Sequence, residues 1–321
     1  MPAPIDTLVT VFGGSGFLGR HVVRALAQRD YRLRVGVRRP ELAGHLQPLG
    51  KVGQINPVQA NVRYPASVEA AMRGAHVVVN LVGILSEGGA QRFNRVHARG
   101  AQVIAQAAAR QGARVVHVSA LGVGTESTSR YLASKTLGER AVLDASPDAT
   151  IIRPSIVFGP EDHFANRFAA LACLSPVLPL VGADTKLQPV FVGDVAAAIA
   201  DAVDGKTQPG TAYEIGGPEV VTMRQAVETI LRIAGRNPAL IPLPFGLAKL
   251  NAAFLQFAPG DFKLTPDQVE MLKSNNVVSE AAKREGRTLE GLGIAPESMV
   301  AVLPSYLWRF RKAGQFARTL A

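Results

Sequence analysis

Residues 8–19, Leu-Val-Thr-Val-Phe-Gly-Gly-Ser-Gly-Phe-Leu-Gly, decide the fold. The apolar run 8–12 predicts a buried strand, and the amphipathic stretch 17–29 predicts a helix directly after it. Between them, glycines 13, 16 and 19 have the G-x-x-G-x-x-G spacing. A glycine turn that joins a strand to a helix is typical of a dinucleotide site, because the free N–H groups of the helix face a pyrophosphate.

The same alternation of apolar runs and amphipathic stretches continues through the first half of the chain. Strands are predicted at 33–37, 76–81, 114–119 and 150–157, and helices at 66–73, 93–111 and 129–145. Such alternation predicts an α/β fold with a doubly wound parallel (Rossmann) sheet. We expect this domain to span 1–158 and to be completed by 188–217, where strands are predicted at 188–192 and 212–216. Residues 159–187 and 218–321, rich in proline, should form a smaller, mostly helical C-terminal lobe.

Composition excludes several classes of protein. Of 321 residues, 47% are hydrophobic and 19% are charged, which excludes a globally disordered chain. The single cysteine, Cys173, has no intrachain partner for a disulfide, and this indicates a reducing compartment such as the cytoplasm. The longest uncharged stretch, 168–183, is too short to cross a bilayer, and we expect no transmembrane helix.

The positive charge lies in the N-terminal half. Residues 1–140 carry 18 Lys and Arg against 7 Asp and Glu, whereas 141–321 carry 17 against 18. A phosphate-rich ligand, or an anionic membrane or protein surface, would account for this field, and so would arginines that merely cover solvated helix faces. Aromatic residues make up only 6%, so we expect no nucleic acid partner.

The turn after the first strand predicts which atoms hold a cofactor. Gly13 allows a tight turn, Gly16 lets the backbone approach the pyrophosphate, and Gly19 lets the helix pack closely on the strand. The predicted cradle comprises Gly13, Ser15, Gly16, Phe17, Leu18 and Gly19. The second strand ends in Arg38-Arg39 without a carboxylate, which favours NADP(H) over NAD(H). Arg38 is the better candidate for the 2′-phosphate because it follows the strand directly. Both arginines could instead be solvated loop residues.

Tyr131 and Lys135 stand four residues apart on one face of a predicted helix. An ammonium beside a phenol lowers the pKa of the tyrosine toward the range needed for acid–base transfer to a carbonyl or alcohol. Ser119, at a predicted strand end, could donate a further catalytic hydrogen bond or could simply be a turn serine. No metal site is predicted, because the six histidines lack short ligand spacing: His21, His45, His76, His97, His117 and His163.

These motifs resemble those of the extended short-chain dehydrogenase/reductases. Three further stretches are similar to the subgroup of NAD(P)-binding accessory subunits of respiratory complex I (alpha subcomplex subunit 9) and its bacterial relatives: 129–139 (SRYLASKTLGE), 153–164 (RPSIVFGPEDHF) and 188–195 (QPVFVGDV). The resemblance implies that Asn61 and Val62 lie near the adenine, Leu81, Val82 and Gly83 near the cofactor ribose, and Pro154 near the nicotinamide.

The chain departs from that pattern in two places. Leu121 stands where active members usually have a serine or threonine, and His97 where an asparagine is common. Two functions therefore remain open. The favoured one is an NADP(H)-binding structural or assembly protein of low turnover, associated with complex I or quinone metabolism, in which Tyr131 and Lys135 serve mainly as ribose clamps. The alternative is an active NADP-dependent reductase, dehydrogenase or epimerase that uses Tyr131 and Lys135 on a lipophilic carbonyl, a quinone-pathway compound or a sugar nucleotide.

Residues 245–257 are nearly uncharged and have a helical period. Such a helix is either buried core, or a surface that seats on an anionic membrane, a hydrophobic partner or a lipophilic substrate. With the basic first half, this stretch predicts peripheral attachment to the inner membrane, on the matrix side in a mitochondrion.

Overall fold

A computed structural model describes residues 3–124, 128–256 and 264–316. Its strands are β1 Leu8–Phe12, β2 Arg32–Val37, β3 Ile55–Gln59, β4 Val77–Asn80, β5 Arg114–Val118, β6 Thr150–Pro154, β7 Val157–Phe158, β8 Val177–Val181, β9 Lys186–Leu187, β10 Val190–Phe191, β11 Ala212–Ile215, β12 Val221–Thr222 and β13 Ala239–Leu243.

The α-helices alternate with the strands in the first half and dominate the second. They are α1 Phe17–Gln28, α2 Pro65–Met72, α3 Gly100–Arg110, α4 Arg130–Ala145, α5 Ala165–Leu174, α6 Val192–Asp204, α7 Met223–Ile233, α8 Phe245–Leu255, α9 Pro266–Met271, α10 Glu280–Arg284, α11 Met299–Val302 and α12 Pro304–Leu307. A π-helical segment, Asn94–Arg99, leads into α3, so the helix predicted at 93–111 is not regular.

Seven of the described strands form one parallel sheet in the order β11-β6-β5-β4-β1-β2-β3. The doubly wound fold is therefore confirmed. Strand β3 was not predicted, because its sequence, Ile-Asn-Pro-Val-Gln, contains a proline and polar residues typical of a sheet edge. Residues 188–192 do not join this sheet. Only Val190–Phe191 forms a strand there, and it pairs with β7.

Each face of the sheet is covered by helices. On one face α1 packs against α6, with Val22 and Ile199 fully buried. On the other face α2, α3 and α4 bury Val68, Ile104 and Val142. Most buried sheet residues between these layers are apolar, as expected for strands buried on both sides, with Asn80 and His117 among the exceptions.

The remaining described elements include two packed groups. Helices α5, α7, α11 and α12 share a core around Phe158 and Leu303. The parallel pair β8–β13 packs its inner residues on α7, and α8 packs on α9 beside it.

Helix α8 has a buried face and an exposed apolar face. Ala248 and Ala252 are fully buried, whereas Leu247, Leu250 and Phe254 are 56%, 60% and 73% exposed. Phe257, the last residue of the predicted apolar stretch, lies outside the described residues. Within the described ranges, no helix has both the length and the apolar character needed to span a bilayer.

Candidate active site

The carboxyl ends of four neighbouring strands meet at one edge of the main sheet. Gly13 follows β1, Leu81 follows β4, Ser119 follows β5, and Pro154 ends β6. The chain order of the strands reverses between β1 and β4, and ligands of doubly wound sheets bind in the crevice at that point. The predicted residues from these four strands are thus brought to one crevice.

The glycine turn after β1 has the geometry of an anion cradle. Gly13 has a φ of +82°, and a Cβ atom there would lie 3.1 Å from the carbonyl carbon of Leu81. A Cβ atom on Gly19 would lie 2.3 Å from the Gly13 carbonyl oxygen, so only glycine fits. Helix α1 begins after Gly16 with no side-chain cap. Its first N–H groups, on Phe17 and Leu18, are therefore available to a diphosphate.

The end of β2 presents cationic side chains without partners. Arg38 and Arg39 are exposed, and in the described part of the chain neither guanidinium has a hydrogen bond or an ion pair. Beyond β3, Val62 is buried under Gly100, and the Asn61 side chain accepts a hydrogen bond from the Arg63 N–H at 3.1 Å. These residues follow the carboxyl ends of β2 and β3, on the β2 side of the glycine turn.

Behind Leu81 and Val82 lies a buried polar pair that the sequence analysis missed. The Asn80 amide oxygen accepts the Val82 N–H at 3.1 Å, so the amide nitrogen donates to His117 Nδ1 at 3.0 Å. The proton of His117 is then on Nε2, which is buried and has no partner among the described atoms. Burial, and then the charge of Lys135, lower the pKa of His117 to about 3. This neutral imidazole supports the loop that follows β4.

Tyr131 and Lys135 lie on α4, but they do not form the expected electrostatic pair. Lys135 is buried and its Nζ donates to the Val118 carbonyl oxygen at 3.1 Å. Burial lowers the pKa of Lys135 to about 8, against an opposing effect of Glu139. Burial, and then the charge of Asp267, raise the pKa of Tyr131 to about 12. The sequence predicted a lowered tyrosine pKa; that expectation is wrong in this structure because the phenol is desolvated and a carboxylate lies near it.

His97 links the loop after β4 to α4. Its Nε2 accepts the Ile84 N–H at 3.0 Å, so Nδ1 carries the proton and donates to Ser134 Oγ at 2.8 Å. Ser134 in turn donates to the Tyr131 carbonyl at 2.7 Å. The ring also meets the Tyr131 ring edge-on at 5.3 Å. Burial, followed by the charge of Lys135, lowers the pKa of His97 to about 3, so this residue is a neutral support.

The place of the usual catalytic hydroxyl is apolar. Leu121 is 4% exposed, and the buried Ser119 Oγ has no partner among the described atoms. Asn276, which follows α9 in the chain, contacts this region: its Oδ1 accepts from Ser155 Oγ at 2.6 Å, and its Nδ2 donates to the Leu121 carbonyl at 3.5 Å. No local sequence signal identified Asn276, because its partners are far away in the chain.

The described residues contain no group of three His, Cys, Asp or Glu side chains that could hold a metal ion. The described groups that converge on the crevice are the turn after β1, the loop after β4, Ser119, Pro154, and the pair Tyr131 and Lys135. Together they define an NAD(P)-binding protein of the short-chain dehydrogenase/reductase type.

Comparison with known proteins supports that class. The model of the NAD dependent epimerase/dehydratase family matches residues 9–216. The chain belongs to this family, in its extended short-chain dehydrogenase/reductase branch.

Two curated relatives are similar in sequence to this chain, and one solved structure is similar in fold. The mitochondrial NADH dehydrogenase [ubiquinone] 1 alpha subcomplex subunit 9 of Arabidopsis thaliana is 35% identical, covering 96% of this chain and 79% of the relative. A ceramide reductase of Caulobacter vibrioides is 35% identical, over 74% of each. An NADPH-dependent quinone oxidoreductase from Escherichia coli, solved with NADPH, has a TM-score of 0.71 at 20% identity, covering 93% of this chain and 98% of that one. That structural likeness shows the fold.

Proposed function

We propose that this protein binds NADP(H) tightly and catalyses little turnover. It serves as a structural or assembly subunit associated with respiratory complex I or with quinone metabolism. The observation that carries the proposal is Leu121, buried in the place of the usual hydroxyl donor, beside an intact cradle for the diphosphate. The relative from Arabidopsis thaliana is itself a complex I subunit and matches nearly the whole chain.

In this proposal each end of the cofactor has its own residues. The cradle from Gly13 to Gly19, with Ser15, Gly16, Phe17 and Leu18, holds the diphosphate. Arg38 binds the 2′-phosphate, with Arg39 beside it, because an exposed guanidinium without a partner is suited to bind phosphate oxygens in pairs. Asn61 and Val62 contact the adenine.

At the other end, Leu81, Val82 and Gly83 line the ribose, Tyr131 and Lys135 clamp its hydroxyls, and Pro154 contacts the nicotinamide. NADP(H) would supply hydride at this end. The chain itself offers a protonated phenol at Tyr131 and a buried ammonium at Lys135. Ser119 is the remaining hydroxyl, but without a second donor at residue 121 we expect little polarisation of a carbonyl.

The first experiment identifies the bound nucleotide. The protein is purified without added nucleotide and denatured, and the released compound is identified by chromatography and mass spectrometry. We expect NADPH or NADP⁺ at about one per chain, in keeping with a tight site. Release of NAD(H) alone, or failure to bind added NADPH, would reject the cofactor assignment.

The second candidate function is a reductase acting on a lipophilic carbonyl, with Tyr131 as the proton donor and Lys135 as its partner. The observation that favours it is the ceramide reductase among the relatives, together with the retained Tyr131 and Lys135. NADPH oxidation is measured with ketones, quinones and long-chain keto-lipids. A rate of about 10 per second that Tyr131→Phe abolishes would establish this function and reject the structural one.

Helix α8 favours a peripheral position at a membrane. Leu247, Leu250 and Phe254 protrude from it, and the basic first half of the chain adds attraction to anionic lipid. We place the protein at the cytoplasmic face of the inner membrane, or at its matrix side in a mitochondrion. The division into a nucleotide domain, 1–158 with 188–217, and a smaller partner or substrate lobe belongs to the same proposal.

Flotation with anionic liposomes and with source membranes, across a salt series, tests this position. Phe254→Ser should weaken the binding, whereas Val52→Ser, at another exposed apolar residue, should not. Binding to source membranes alone would indicate a protein partner. Protein that stays in solution with both preparations at low salt would reject attachment.

A further inference from the structure

The helix that carries Tyr131 is capped by a residue from the smaller lobe. Asp267 Oδ1 accepts the Arg130 N–H at 2.7 Å, and Oδ2 accepts the Tyr131 N–H at 3.1 Å and the Ser129 hydroxyl at 3.0 Å. The first N–H groups of a helix have no acceptor within the helix itself. One carboxylate, more than a hundred residues along the chain, therefore accepts two of these N–H groups, those of the consecutive residues Arg130 and Tyr131.

We propose that Asp267 is a positioning residue for Tyr131, so that the smaller lobe sets where the phenol stands in the cofactor crevice. The proposal rests on the proposed function, in which Tyr131 clamps the cofactor ribose. It adds that this clamp is governed by an element outside the nucleotide domain.

Packing of α9 on α8 fixes the position of Asp267 relative to α4. Val269, two residues later on α9, is fully buried against Ala248 and Ala252 of α8. Glu270 provides a second attachment: it accepts from Thr128 Oγ1 at 2.6 Å and pairs with Lys273 at 2.9 Å and Lys249 of α8 at 3.4 Å. The carboxylate of Asp267 is thus held by a packed helix that is itself joined to α8.

The same carboxylate acts on the phenol electrostatically. A negative charge is favourable at the N-terminus of a helix, but it disfavours ionisation of a nearby phenol. Burial and Asp267 both raise the pKa of Tyr131.

Several other charged or titratable groups surround this turn. His97 meets the Tyr131 ring in its neutral form, Lys135 is directed to the Val118 carbonyl, and Arg130 extends away to Glu87. Glu270 contacts Thr128 and is not among the groups that shift the pKa of Tyr131. Neutralising Asp267 should therefore lower the pKa of Tyr131, and neutralising Glu270 should not.

The test compares Asp267→Asn with its matched control, Glu270→Gln, in the full-length protein. Amide hydrogen exchange is followed at Arg130 and Tyr131, and phenol ionisation by ultraviolet difference titration, with Tyr131→Phe identifying the signal among the five tyrosines. In Asp267→Asn we expect exchange at these two amides to accelerate about tenfold or more, since the asparagine side chain carries no charge and has one acceptor oxygen in place of two. We also expect the pKa of Tyr131 to fall. Both readouts should be unchanged in Glu270→Gln, because the Gln side-chain oxygen can still accept from Thr128 and the packing of Val269 on α8 is retained.

Unchanged exchange and titration in Asp267→Asn, or equal changes in both variants, would overturn the proposal. If Asp267→Asn does not fold, the wild-type protein still decides: slow exchange at Arg130 and Tyr131 supports the cap, and exchange at the rate of an open peptide rejects it. Neither readout uses a nucleotide. Failure to bind NADPH would thus reject the proposed function while leaving the role of Asp267 decided by these measurements.

Discussion

The two ends of the cofactor crevice are built in different ways. At the phosphate end, the turn from Gly13 to Gly19 is continuous in sequence. Its backbone leaves no room for a Cβ atom at Gly19 and has a positive φ at Gly13 that disfavours other residues. At the nicotinamide end, Ser119, Tyr131, Ser155 and Asn276 come from separate parts of the chain, and a leucine replaces the usual hydroxyl. The difference supports the proposal that this chain binds a nucleotide but lacks part of the usual catalytic set.

The largest effect should come from the phosphate end. In Gly19→Ala the new Cβ atom would lie 2.3 Å from the Gly13 carbonyl oxygen, so helix and turn must separate. We expect a loss of stability of about 3 kcal/mol and loss of nucleotide binding, measured by urea unfolding and by NADPH fluorescence titration. Gly44→Ala is the control, because nothing lies within 4 Å of its new Cβ atom. A Gly19→Ala protein as stable as wild type would show that the turn is less constrained than its geometry indicates.

The next effect tests how the phosphate end selects its ligand. Arg38→Asp should lower NADPH affinity roughly 10- to 150-fold, because a charge-assisted contact of about 1.5 to 3 kcal/mol is lost, while NADH affinity changes little. Isothermal titration with both nucleotides measures the two affinities. Arg39→Asp is the matched variant and should have the smaller effect. Equal losses for NADPH and NADH in Arg38→Asp would contradict the assignment of the 2′-phosphate site.

Acid should lower the stability of the folded protein through the two buried histidines, His97 and His117, near the nicotinamide end. The pKa values of His97 and His117 lie near 3 in the folded protein, against the usual 6.5. The unfolded chain therefore takes up protons below pH 6.5 that the folded protein refuses, and stability falls as the pH drops from 6.5 toward 3. Each histidine contributes a slope of about 1.4 kcal/mol per pH unit.

His97→Asn should reduce that slope by the share of one histidine, whereas His45→Asn, at an exposed residue, should not. Urea unfolding at several pH values between 6.5 and 4.5 measures the slopes. If stability falls with pH equally steeply in His97→Asn and in wild type, then the folded protein protonates His97 as readily as the unfolded chain does.

The smallest effect concerns the phenol itself. Tyr131→Phe removes one hydrogen bond to the cofactor ribose, which is expected to cost about 0.5 to 1.5 kcal/mol and so to weaken NADPH binding roughly two- to tenfold. Competition binding against wild type resolves a difference of this size. If Tyr131→Phe lowers NADPH affinity as much as Arg38→Asp does, then Tyr131 is a principal binding residue. The two ends of the crevice would then contribute similarly to binding.

The sequence predicted the strand, turn and helix at 8–28 because their determinants are local: a strand, three glycines and a helix in one stretch. It predicted the sheet for the same reason, since periodicity reports burial within each element. It missed strand β3, where a proline interrupts the pattern.

It also missed Asp267, Asn276 and the buried pair of Asn80 and His117, whose partners are set by tertiary packing. The tyrosine pKa was predicted in the wrong direction because spacing on a helix shows proximity along one face. It shows neither desolvation nor a carboxylate that comes from a distant part of the chain.

The position of β11 has a consequence for the order in which the molecule forms. Strand β6 pairs with β5 on one side and with β11 on the other, and β11 is made only after β7 to β10 and α6 have left the ribosome. Until then the outer edge of β6, with Ile151 and Ile152, has no neighbour, and such an edge recruits other unpaired strands. A nascent or truncated chain that ends before residue 212 should therefore be held by chaperones or aggregate. The helices and strands between β6 and β11 must fold early enough to bring β11 beside β6, where it completes the sheet.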